Sequence, residues 1–298
     1  MIEIVKDALF DTLKMVPFLF LIYVAIEYFE YKYSKKMKET LEKAGQPGPA
    51  IGAITGTFPQ CGFSVIISAL YTQRLVTIGT LLAVYLATSD EAIPIILSRP
   101  DKAGIIMPII LTKIVLAFIA GYLVDLVYRK KNEKVLKHIK QFEHEECHHG
   151  HEIDEAGCCG HEVGDKLEFK DLLIHPLRHT AKIFAFLFAV TLLINYAFFR
   201  YGDDNISRLF LGHSFFQPFI TALVGLIPNC AASVAITEMY LRGAISYGSV
   251  ISGLSASGGL GLLVLFRENK NLKNTLAILG LLLFFSIGAG VLIQYIYG

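Results

Sequence analysis

Charge, cysteine and nucleotide-binding signatures are all scarce in this chain, and each scarcity removes a class of protein. Only 18% of its 298 residues are charged, where a soluble domain carries about a quarter. With 54% hydrophobic residues and a mean hydropathy of +0.53, a large soluble fold is excluded. The 5 cysteines are too few and too scattered for a disulfide framework. Two of them sit in apolar stretches and three in one histidine-rich segment, which suits metal or thiol chemistry better than stapling. No GxxxxGK[ST] loop occurs, nor a soluble domain of the aspartyl-phosphate kind, so transport driven directly by ATP is not expected. A formal net charge of +1 offers no electrostatic footprint for nucleic acid. The first 14 residues are charged and amphipathic, with no small-residue cleavage site after them, so no cleaved signal peptide is expected.

Long apolar runs are what remain. Eight blocks, 15–29, 50–71, 75–97, 104–127, 183–199, 215–240, 244–266 and 276–297, fill most of the chain. Most are long enough to cross a hydrocarbon core of about 30 Å at about 1.5 Å per residue. The fold class expected is therefore an all-α polytopic membrane protein, with the lipid bilayer as its main partner.

The two halves also resemble one another. Residues 56–65 read GTFPQCGFSV and residues 225–234 read GLIPNCAASV, a constant offset of 169. Gly56, Pro59, Cys61, Ser64 and Val65 then match Gly225, Pro228, Cys230, Ser233 and Val234, and Tyr71, Thr77 and Gly79 fall on Tyr240, Ser246 and Gly248. The organisation expected is a first transmembrane repeat over 1–128, a linker over 129–170 and a second transmembrane repeat over 171–298. Both 30–49 and 128–170 are rich in lysine and arginine, so the positive-inside rule puts both in the cytoplasm. That requires each Pro-Cys block to dip in and return as a re-entrant hairpin, turning near Pro59–Gly62 and Pro228–Ala231. Each half then crosses three times, the second repeat is inverted, both termini lie outside, and about ten helical segments result. The expected location is the inner (cytoplasmic) membrane. Inverted repeats with interrupted helices at the midplane are a secondary-transporter architecture.

With PQCGFS (59–64), GTLLAVYLATSDEAIP (79–94) and PNCAAS (228–233), nearly the whole chain resembles the ten-helix heavy-metal exporters often labelled arsenic or manganese efflux proteins. It is more distantly similar to permeases that export organic arsenicals, which carry a denser cysteine motif after the proline. The resemblance implies export of a metal or metalloid ion.

At the hairpin tips, Pro59 and Pro228 end helices and free carbonyls, and Gly62 lets backbones approach. Gln60, Cys61 and Ser64, with Asn229, Cys230 and Ser233, bring amide, thiol and hydroxyl groups to a pseudo-two-fold axis. Facing thiols suit a soft metal and oxygens a harder cation; the alternative is that Cys packs as a small hydrophobe. Halfway through block 75–97 stand Thr88, Ser89, Asp90 and Glu91. Intramembrane carboxylates normally face a cavity or a partner, so these acids mark a cation or proton site; a helix start capped by Ser89 is the alternative. The matching stretch in the second half keeps the hydroxyls of Ser255 and Ser257 but no acid. Lys113 lies too deep to snorkel, and is expected to pair with Asp90 or Glu91 or to meet an anionic substrate. Asp125 lies near a helix end and reads as an interfacial anchor.

The linker carries 6 of the 9 histidines between 138 and 161. His144, Cys147, His148, His149, His151, Cys158, Cys159 and His161 alternate with acids, a donor set for first-row transition metals. The irregular spacing favours a flexible accessory metal trap over a fixed zinc site; a solvated low-complexity linker is the alternative. The function expected is secondary export of a divalent transition metal such as manganese, or of an arsenical, by alternating access. No cofactor is required: the transition-metal ion is substrate or loop ligand. A carrier of a small anion or organic solute using Lys113 and helix N-termini is the alternative. An enzyme is not expected, since no histidine lies centrally in an apolar block to serve a cysteine nucleophile. A homo-oligomer stays open.

Overall fold

The computed structural model describes residues 47–129 and 216–297, apart from 60, 90, 228, 229 and 270, together with scattered helical positions within 9–24 and 177–192. Among the described residues every regular element is helical. The first half contributes α1 (Gly48–Thr55), α2 (Cys61–Thr72), α3 (Ile78–Ala87), α4 (Ala92–Leu97), a 3-10 turn (Pro100–Ile105) and α5 (Ile106–Val127). The second contributes α6 (Gln217–Gly225), α7 (Cys230–Leu241), α8 (Tyr247–Ala256), α9 (Gly259–Glu268) and α10 (Leu272–Tyr297).

Shifted by 169 residues, the helix starts Gly48, Cys61 and Ile78 fall on Gln217, Cys230 and Tyr247. Local chemistry explains the agreement. Pro49 and Pro218 sit in the first turns of α1 and α6, where a missing N–H does no harm. Thr77 and Ser246 cap α3 and α8, their hydroxyls accepting from the N–H of Thr80 and Ser249; such caps contribute about 1 kcal/mol each. α2 and α7 end in the same left-handed turn, at Arg74 (φ 63) and Gly243 (φ 75). There Leu75 N–H donates to Leu70 O, and Ala244 N–H to Met239 O, both at 2.9 Å. This six-to-one bond closes orphan carbonyls at a helix end.

Packing repeats as well. α3 lies against α1 and α5, and α8 lies against α6 and α10. A Cβ on Gly79 would fall 2.2 Å from the Gly121 carbonyl oxygen, and one on Gly248 would fall 2.3 Å from that of Gly290. Backbones this close are what small residues permit between membrane helices. Between the halves the partners are exchanged: α2 packs on α9, and α7 on α4.

Among the described residues four stretches are long and apolar enough to cross a membrane: Ile78–Leu97, Asp101–Val127, Tyr247–Glu268 and Leu272–Ile296. The two containing the α3–α4 and α8–α9 junctions are 94% and 82% buried, the other two only 28% and 22%. Interrupted helices thus occupy the centre and continuous ones the periphery, where Leu111, Phe118, Leu126, Phe284 and Leu292 are exposed. Such an apolar outer surface requires lipid rather than water. The chain is a multi-pass membrane protein.

Asp125, near the end of α5, binds the start of α3. Its carboxylate accepts from the Gly79 N–H at 2.8 Å and the Thr77 hydroxyl at 2.7 Å, at the start of α3. A negative group at a helix N-terminus meets unpaired N–H groups and the positive end of the dipole. Gln294, 169 residues on, lies 3.3 Å from the Ser246 hydroxyl at the start of α8.

Candidate functional site

The two helix interruptions fall on the polar residues that break the apolar runs. α3 ends at Ala87 and α4 begins at Ala92; α8 ends at Ala256 and α9 begins at Gly259. Thr88, Ser89 and Glu91 are buried in the first junction, as are Ser255 and Ser257 at the second. Ser89 is not a helix cap: the N-cap of α4 is Glu91, with no side-chain cap hydrogen bond. Asp90 lies outside the described residues.

Lys113, from the middle of α5, is only 1% exposed. Its Nζ donates to the main-chain oxygens of Thr88 and Leu254, the latter at 2.9 Å. Thr88 is the C-cap of α3, and Leu254 lies in the last turn of α8. One amino group therefore bridges the C-terminal ends of interrupted helices from both halves. A lysine at the centre of a membrane helix costs about 3 kcal/mol. Hydrogen bonds from a charged donor return about 1.5 to 3 kcal/mol each, and both helix dipoles present their negative ends here. The site is thus electrostatically suited to a cation. The Ser255 hydroxyl, fully buried one residue beyond Leu254, has no hydrogen-bond partner.

Of the Pro-Cys tips, Cys61 and Cys230 open α2 and α7, and Pro59 and Gly62 flank the first tip. The side chains of both cysteines, together with Gln60, Pro228 and Asn229, lie outside the described residues, as do His144, Cys147, His148, His149, His151, Cys158, Cys159 and His161. Among the described residues no three His, Cys, Asp or Glu side chains gather to hold a metal. Ser64 and Ser233 are buried on α2 and α7. A Cβ at Gly261 of α9 would come 2.3 Å from Ser64 O. One turn on, Ser68 Oγ stands 2.9 Å from Gly261 O and 2.6 Å from the Tyr85 hydroxyl, fastening α2 to α9 and α3.

Sequence reasoning missed the second inter-half contact. Glu238 on α7 is fully buried. Its carboxylate accepts from Arg99, just beyond α4, at 2.7 Å and from Arg242 at 3.0 Å. Lys102 donates to the Leu241 carbonyl beside it. The available signal was an acid inside apolar block 215–240, with basic residues on the 99–102 connection. The equivalent end of α2 uses neutral or weaker contacts: Asn274 donates to the Tyr71 hydroxyl at 2.6 Å, and Thr72 to Glu268 at 3.5 Å.

No curated relative and no solved structure matches the chain. A family profile does, over residues 1–163 and 168–298, and it accounts for the apolar helices described above. The chain belongs to the family described as "Putative, 10TM heavy-metal exporter".

Proposed function

We propose that this protein is a secondary transporter, not an enzyme, that exports a divalent transition-metal ion such as manganese, or an arsenical, by alternating access. The observation that carries the reading is Lys113 Nζ bridging the carbonyl ends of two interrupted helices, one from each half. Interrupted helices facing each other across two repeats are how many secondary carriers bind an ion at mid-membrane. The reciprocal packing of α2 on α9 and α7 on α4 supports a two-fold relation between the halves. An odd number of crossings per half, as the basic linkers require, lays that axis in the membrane plane and makes the repeats inverted.

In this reading 1–128 and 171–298 are the moving repeats, the Pro-Cys segments are re-entrant, and 129–170 is a cytoplasmic metal trap. The ion binds between the α3–α4 and α8–α9 junctions, with Asp90 and Glu91 supplying negative charge and Cys61 and Cys230 lining the approach. Helix C-termini at the centre favour a cation over the anion that Lys113 alone would invite. The protein sits in the inner membrane, with both termini outside.

The test is flux into proteoliposomes of Mn²⁺, Zn²⁺, Co²⁺, Cd²⁺ and arsenite, with an Asp90→Asn/Glu91→Gln variant beside the wild type. Flux of one of these, lost in the variant, is expected. Absence of flux for all five, or flux unchanged in the variant, would overturn the assignment.

A further inference from the structure

Lys113 binds main-chain oxygens from both halves. Its Nζ is held by two main-chain oxygens, Thr88 O and Leu254 O, that no side chain of the sequence advertises. Both oxygens belong to the ends of helices that stop at mid-chain, where carbonyls lose their intrahelical donors and need another partner. In the absence of a lysine, oxygen ligands of this kind coordinate hard cations.

Two further observations mark the position as a site. The Ser255 hydroxyl, fully buried beside Leu254, has no hydrogen-bond partner, although a hydroxyl in a helix can ordinarily donate back to its own preceding turn. Buried polar atoms are nearly always paired, so an unpaired hydroxyl one residue along the chain from a cradle carbonyl is a candidate oxygen ligand. The lysine is also present once. Its equivalent 169 residues on is Leu282, fully buried and apolar, so the first half alone supplies a lysine at this position.

We propose that the Lys113 ammonium is a built-in stand-in for a hard monovalent cation of the sodium or potassium class, and that such an ion takes the carbonyls of Thr88 and Leu254 when the lysine withdraws. The exchange swaps one unit of positive charge for another and leaves the helix ends satisfied throughout. Because the lysine ties α3 of the first half to α8 of the second, its withdrawal also releases the halves from one another. The monovalent ion is then the coupling partner of the heavy-metal cargo. This inference rests on the reading of the helix junctions as the transport site, and its test does not use transport.

Lys113→Met and Lys113→Ala remove the ammonium and expose the cradle. The full-length variants and the wild type are melted in detergent in sodium, potassium or choline chloride at equal ionic strength. Choline, a quaternary ammonium far larger than a sodium or potassium ion, is the non-coordinating control. Each variant should melt several degrees below wild type in choline and recover about half of the loss in sodium or potassium, with a concentration dependence that saturates as a binding isotherm does. The wild type, its cradle filled, should respond little to the choice of cation. Identical melting of the variants in all three salts would overturn the proposal. So would a wild type that responds as strongly as they do, or failure of both variants to be recovered folded in any salt. Wild-type protein that moves none of the metals, while the variants keep their salt response, would sink the transport reading and the coupling role with it, and leave the cation site itself standing.

Discussion

Arg99 Nη2 lies 2.7 and 3.0 Å from the two carboxylate oxygens of Glu238, although 139 residues separate them in the chain. The pair joins the end of α4 in one half to the last turn of α7 in the other, and Arg242 completes it one turn along. Removing one partner of a buried pair leaves an uncompensated charge, which costs about 3 to 5 kcal/mol. Glu238→Gln should therefore lower the melting temperature sharply, leaving two guanidinium groups against a neutral amide. Arg99→Ala should do less, because Arg242 remains. A double Arg99→Met/Glu238→Met variant should recover more than half of the loss, since apolar replacement removes both charges together. A double variant as unstable as Glu238→Gln would contradict this account.

Close packing makes an equally specific forecast for two glycines. Gly79→Ala and Gly248→Ala would each press a methyl group to within 2.2 or 2.3 Å of a carbonyl oxygen, of Gly121 and Gly290. Neither backbone can yield without separating α3 from α5 or α8 from α10. Both variants should lose several kcal/mol and much of their yield. Gly280→Ala, with open space around it, is the control and should be neutral or slightly stabilising. Size-exclusion recovery after heating, compared across the three, reads the difference.

At Asp125 the second half has already supplied part of the experiment. Gln294 occupies the matching position beside Ser246, so an amide there is compatible with the fold. Asp125→Asn keeps one oxygen to accept from Gly79 N–H, and should lose about 1 kcal/mol or less. Asp125→Ala leaves both the N–H and the Thr77 hydroxyl without this acceptor, and should lose about 1 to 2 kcal/mol. Equal melting of the two variants would mean that charge, and not hydrogen bonding, is what α3 requires.

The interruptions at 88–91 and 257–258 are legible because hydroxyl, acid and glycine residues stand where an apolar run should continue. Helix starts are legible for the same kind of reason: Pro49, Thr77, Pro218 and Ser246 each satisfy or omit a terminal N–H. Lys113 announces itself as a deep charge, but the two carbonyls it binds do not. Main-chain carbonyls carry no sequence signature, and these become acceptors only because two helices from distant segments stop beside one another. Glu238 fails for a related reason, since its cation comes from the other half of the chain. The contact of Asp125 with the start of α3 could have been read from Gln294 at the same repeat position, because a polar residue kept at both places serves the repeated unit.

The linker supplies the last prediction, from sequence and charge alone. Residues 141–163 hold seven acids and eight His and Cys side chains, with no spacing that fixes a coordination geometry. A donor set of irregular spacing raises the local concentration of a metal without shaping the path it follows. Deleting 141–163 should leave insertion and the maximal flux at saturating metal close to wild type, while raising the metal concentration needed for half-maximal flux. Replacing the eight His and Cys donors with Ser at unchanged length should reproduce that shift, which separates donor chemistry from linker length. If the deletion abolished flux at every concentration while insertion stayed normal, the linker would belong to the pathway itself, and the binding site would have to be sought outside the helix junctions.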